Sequence, residues 1–131
     1  MKTILTAGLV LCLSGCQLIS PIFVNYNGVR RDVATWINQQ TLLSMQQKRS
    51  LAQLSRAQQQ LRNFPAKDPQ IQLAIAKQNQ IALYCANQHV SAKKIKQLQD
   101  RVFDEEQAQI LQQYEQLAPK IKLDSTALQC E

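Results

Sequence analysis

Chain breakers are scarce here. Of 131 residues three are glycine and four are proline. Gly8 and Gly15 fall in the first fifteen residues, which leaves Gly28 alone for the remainder, and Pro21, Pro65, Pro69 and Pro119 stand outside the long patterned stretches. So few breakers predict long helices. Recognisable catalytic machinery is missing as well: there is no glycine-rich phosphate loop, no Gly-x-Ser-x-Gly elbow and no His-Glu-x-x-His pair. His89 is the single histidine. The run Asp104-Glu105-Glu106 reads as a helix-surface charge cluster rather than a carboxylate pair for acid-base work. The expectation is a protein that is not an enzyme and uses no cofactor.

What the chain does have begins at its amino terminus. Lys2 supplies a positive charge, Ile4 to Leu13 is apolar, and Leu13-Ser14-Gly15-Cys16 follows. About ten apolar residues are half of what a bilayer span needs, so residues 1–15 read as a signal peptide. Its last residues with Cys16 resemble the lipobox of bacterial lipoproteins. That resemblance implies that residues 1–15 are removed, that the Cys16 thiol receives a diacylglyceryl group, and that the new amino terminus is acylated, for example with palmitate. Two acyl chains already give stable membrane attachment, so three should make it permanent. By the same resemblance Gln17, where aspartate would favour the inner membrane, implies the outer membrane, with the domain facing the periplasm.

Residues 16–28 then form a lipidated tether and 29–131 a helical domain. Without the leader the chain keeps 14 basic and 9 acidic side chains. In an envelope protein that excess suits anionic headgroups, wall material or an acidic protein face rather than nucleic acid. No small-molecule substrate is indicated. Lys48-Arg49 and Lys93-Lys94 read as solvated helix faces, and Arg30-Arg31, just past the tether, as lying near headgroups.

Periodicity predicts three helices, hence an all-α, three-helix antiparallel bundle or an extended helical hairpin. The first is expected over 29–63, with Val33, Trp36, Ile37, Leu43, Leu51, Leu54 and Leu61 on one stripe. Gln40, Ser44, Gln47 and Gln58 share that stripe. A seam so polar at its middle suits entry of a partner, with Gln40, Leu43, Gln47, Leu51 and Leu54 as candidate partner-binding residues, or a face half open to solvent. On either reading, replacing Gln47 by leucine should stabilise the seam. Asp68-Pro69 starts the second helix, with Asp68 as N-cap and Pro69 in the first helical position. It should run to about His89, with Ile71, Ala74, Ile75, Ile81, Ala82, Cys85 and Ala86 on one face. Leu73 and Tyr84 point nearly opposite, so neighbours are expected on two sides. Ser91 caps a third helix, with stripe residues Ile95, Leu98, Val102, Phe103, Ile110, Tyr114 and Leu117, and Pro119 ends it. Lys96 with Asp100 and Arg101 with Glu105 have ion-pair spacing.

Cys12 leaves with the leader and Cys16 is lipidated, so Cys85 and Cys130 remain as a pair in a disulfide-permissive compartment. A bridge between them would tie the carboxyl-terminal tail to the second helix. The alternative joins Cys85, His89 and Cys130 as metal ligands. The disulfide needs less, and no metal site is expected.

Size, lipobox, helical content and the landmarks Tyr84, Cys85, Tyr114 and Cys130 look similar to the pilotins of type II secretion systems. Those are helical outer-membrane lipoproteins that hold a helix of the secretin and escort it to the outer membrane. Leu43-Ser44-Met45-Gln46-Gln47 and Leu54-Ser55-Arg56-Ala57-Gln58 resemble instead the Leu-Thr-x-x-Gln repeats of periplasmic chaperones of the CpxP and Spy type. Both resemblances imply a protein partner in the envelope.

Overall fold

A computed structural model describes residues 28–131; the expected signal peptide, Cys16 and the tether before Gly28 lie outside them. Among the described residues five α-helices follow one another: α1 (Arg31–Asn38), α2 (Met45–Gln59), α3 (Pro69–His89), α4 (Ala92–Phe103) and α5 (Gln107–Leu117). Short 3-10 turns occupy Phe64–Ala66, Asp104–Glu106 and Ser125–Ala127, and there is no strand among the described residues. The all-helical class is as expected. The long first helix is not: it divides into α1 and α2, and the third divides into α4 and α5.

The first division has a local cause. Ser44 leaves the helical region at φ −68°, ψ 165°, and its hydroxyl accepts from the backbone N–H of Gln47. The Gln47 side chain returns the bond by accepting from the backbone N–H of Ser44, 2.8 Å away. This reciprocal pair is a capping box, which starts a new helix by satisfying two otherwise unpaired donors. Asp68 and Ser91 cap α3 and α4 as expected, accepting from the backbone N–H groups of Ile71 and Lys94. The second division falls at Asp104, whose backbone sits at φ 54°, ψ −131°. That positive φ is unusual for a residue with a side chain. It is held by two arginines described below.

The helix order follows from hydrogen bonds between side chains. Gln47 reaches the carbonyl of His89, Gln58 reaches Asn79, and Gln60 reaches Gln78. Partner numbers fall along α3 as they rise along α2, so the two helices are antiparallel. Lys94 meets Gln40 while Arg30 meets Arg101 and Val102, which sets α4 antiparallel to α1 in the same way.

The core gathers Val33, Trp36 and Ile37 from α1, Leu51, Ala52 and Leu54 from α2, Ile75, Ala82 and Ala86 from α3, and Leu98, Val102 and Phe103 from the end of α4. Phe64 lies edge-on to Tyr114, with ring centroids 5.0 Å apart, and joins α5 to this core. On α3 Ile75, Ala82, Cys85 and Ala86 are buried as expected, but the buried face is turned partly away from the rest of the expected stripe. Ala76 and Asn79 are inside, whereas Ile71 and Ala74 are exposed. Leu117, expected on the inner stripe of the third helix, is half exposed.

Candidate docking surface

The five candidate seam residues do not share an open face. Leu51 and Leu54 are fully enclosed in the core, and Leu43 packs against it half-buried. Gln40 donates to the Trp36 carbonyl at 3.2 Å and accepts from the Lys94 ammonium at 2.8 Å. Gln47 completes the capping box and donates to the His89 carbonyl at 3.0 Å. The polar middle of the stripe is therefore a helix boundary plus a bridge to the end of α3. The break after Asn38 lets each half of the stripe turn its apolar residues inward separately.

The tail closes the other side of the α2/α3 pair. Cys85, buried on α3, is bridged to Cys130, with Cα atoms 5.5 Å apart. Gln46 donates to the Glu131 carbonyl at 2.9 Å, and Gln53 donates to the Gln129 carbonyl at 3.0 Å. The backbone N–H of Glu131 donates back to Gln53 at 3.3 Å, and the Glu131 carboxylate pairs with Arg56. Burial lowers the pKa of the Arg56 guanidinium. Beside this strap lies a cleft of about 440 Å³, lined by Gln53, Arg56, Gln60, Gln78, Ile81 and Gln129 among others. The bridge takes up both thiols that a Cys85, His89 and Cys130 metal site would need.

Two arginines hold the α4/α5 corner, and sequence reasoning missed both. Arg30 donates to the carbonyls of Arg101 (2.7 Å) and Val102 (3.3 Å) and pairs with Asp32. Arg62 donates to Val102 at 3.1 Å and to the Glu106 carboxylate at 3.1 Å. Each guanidinium also stands 3.9 Å from Asp104. Together they satisfy the last carbonyls of α4 and balance the acidic run, which accounts for the tolerated positive φ at Asp104. The hydrogen bond from Arg30, then its charge, holds the Asp32 carboxyl below its ordinary range. Lys96 and Asp100 form no ion pair, nor do Arg101 and Glu105, whose helical spacing ends at the corner.

Polar groups also enter the interior. Lys48, expected on a solvated face, is 2% exposed, and its ammonium points at the last carbonyl of α1, 3.5 Å from the oxygen of Asn38. A cation suits that negative helix end. Gln58 donates to Asn79 at 3.2 Å while its own oxygen is buried without a partner among the described residues. Burial raises the pKa of the Tyr114 phenol, against a smaller opposing effect of its hydrogen bond with Asn79.

The outer face of α3 is where the expected second neighbour is missing among the described residues. Leu73 and Tyr84 are 39% and 43% exposed. They are eleven positions apart, about three helical turns, so they stand on one line with Lys77 and Gln80 between them. Both intervening side chains are exposed. No helix of the described residues is long and apolar enough to cross a membrane. No protein-family model, curated protein or solved structure matches the chain.

Proposed function

We propose that this chain is a non-enzymatic lipoprotein, anchored through Cys16 to the periplasmic side of the outer membrane, that docks an envelope protein on the outer face of α3. The single observation behind the docking is the Leu73 to Tyr84 line, a pair left uncovered among the described residues on their longest helix. An amphipathic helix laid on that face would meet both anchors at helical spacing. In this reading α2, α3 and α4 are the three-helix antiparallel bundle, and α1 and α5 cover its flanks. A partner reaching Leu51 and Leu54 has to part that bundle, so the contact moves from the inner seam to the outer face.

A pilotin-like escort is the more specific form of the proposal. It is favoured by Tyr84 standing half exposed next to the Cys85 bridge to the carboxyl-terminal tail. The chaperone repeat is less well supported, because Leu43 to Gln47 crosses a helix start while Leu54 to Gln58 lies inside α2. Photo-crosslinking in living cells tests the proposal, with the reactive side chain placed in turn at positions 73, 84 and 115. A discrete adduct from 73 and 84 but not from 115, on the exposed side of α5, is the expected result. Silence at 84, or the same adducts from all three positions, contradicts it.

A further inference from the structure

Opposite requirements meet on the α1/α4 side of the molecule. Leu42, at the tip of the 39–44 turn, is 98% exposed. It is the most exposed large apolar side chain among the described residues. Lys94 and Arg101 flank the Trp36 ring at 5.7 and 5.9 Å from its centroid. Arg31 lines the same shallow hollow as Trp36 and Arg101, and a second hollow holding Leu42 and Lys94 shares Gln39 with the first. These features therefore form one continuous face. Among the described residues Arg31, Lys94 and Arg101 have no carboxylate in ion-pair range. The acid on the face, Asp32, is taken by Arg30.

We infer that this face lies on the membrane surface, with Leu42 entering the headgroup boundary and Arg31, Lys94 and Arg101 against anionic phospholipid headgroups. Charge sign and chain length both point to lipid. Three cations spread along a face that ends in a protruding leucine, with Lys94 beside Leu42 and Arg31 and Arg101 beyond Trp36, suit a surface that is anionic outside and apolar beneath. The chain joins the domain at Gly28, whose carbonyl accepts from Gln59 at 2.8 Å, and α1 begins three residues later. Twelve residues beyond Cys16 reach at most about 40 Å, so the amino-terminal end of α1 stays within that distance of the bilayer. Docked this way, the domain has a fixed orientation on its membrane. The inference rests on the anchored reading of Cys16.

Trp36 is the sole tryptophan and reports on this face. The mature lipidated protein is reconstituted into brominated-lipid vesicles of phosphatidylcholine, with or without phosphatidylglycerol. Flotation first shows whether the protein is anchored, independently of how it lies. Bromine quenching of Trp36 should appear with phosphatidylglycerol and be lost in phosphatidylcholine alone or at about 1 M salt, where the screening length is roughly 3 Å. It should also be lost in Leu42→Glu, and removing the Arg31 charge should weaken docking roughly fivefold. Both positions are exposed, and an unchanged circular dichroism spectrum confirms folding of the variants. Failure to float removes the anchored reading and this inference with it. Flotation without charge-dependent quenching, or quenching indifferent to Leu42→Glu, overturns the inference alone. Trp36 protected only when an acidic protein is added assigns the face to protein and also overturns it.

Discussion

Gln47 on α2 donates its side-chain amide to the backbone carbonyl of His89, the last residue of α3, across 3.0 Å. With its oxygen on the Ser44 backbone N–H, one glutamine starts one helix and terminates another. A sequence stripe that counts it as a polar gap assigns it the opposite role.

Gln47→Leu should therefore destabilise the protein, reversing the gain expected from the stripe. Losing the capping box and the bridge together should cost about 1–2 kcal/mol, and Ser44→Ala about 1 kcal/mol. Urea unfolding of both variants measures this. A higher midpoint for Gln47→Leu returns the seam interpretation to favour.

The helix starts at Asp68 and Ser91 were legible because their signals are local: a short polar acceptor, and at Asp68 a following proline. Ser44-x-x-Gln47 carries the same kind of signal, but the apolar stripe running through it masks the boundary. Asp104 offered no such clue. Its turn is held by Arg30 and Arg62, 74 and 42 positions earlier, and partners so distant leave no trace in periodicity. The outer line of α3 was visible in the spacing of Leu73 and Tyr84. Whether the rest of the chain covers it was a question of packing that spacing does not answer. Lys48 looked solvated for a related reason, since the carbonyl it faces belongs to another helix.

The Cys85 to Cys130 bridge closes a separation of 45 residues, for which the loop-entropy relation gives about 4 kcal/mol. Replacing both cysteines by serine should lower the melting temperature by roughly 15–30 °C. Most helical circular dichroism at low temperature should remain, because α2 and α3 keep their own core. Hydrogen exchange should rise first at the amide of Glu131, which bonds to Gln53. Unchanged melting would show that the strap contributes little.

The buried pair of Gln58 and Asn79 should behave as a coupled unit. Asn79→Leu alone strands the Gln58 amide inside and should cost about 1–3 kcal/mol. Adding Gln58→Leu removes that penalty, so the double variant should recover much of the loss. A double-mutant cycle by chemical denaturation checks it, and simple additivity would contradict the coupling.

Alkaline titration reports on Tyr114. Its folded pKa is raised above the ordinary 10.0, so the folded state holds the phenolic proton more tightly than the unfolded chain. The stabilisation is present below pH 10 and falls away as pH rises through the folded value. Unfolding midpoints taken between about pH 9 and pH 11.5 should decline, and less steeply in Tyr114→Phe. Equal slopes would show that burial of the phenol does not matter.

The proposed docking on α3 in the envelope and the inferred membrane contact of the α1/α4 side both rest on lipidation of Cys16. Intact-mass analysis of the protein extracted from membranes tests that dependence directly. The account predicts a chain that begins at Cys16, carries a diacylglyceryl group and an amino-terminal acyl chain, and is two mass units lighter for the disulfide. It also predicts that Cys16→Ala leaves the detergent phase. An unmodified Cys16, or a Cys16→Ala variant that partitions into detergent like the parent, would contradict it.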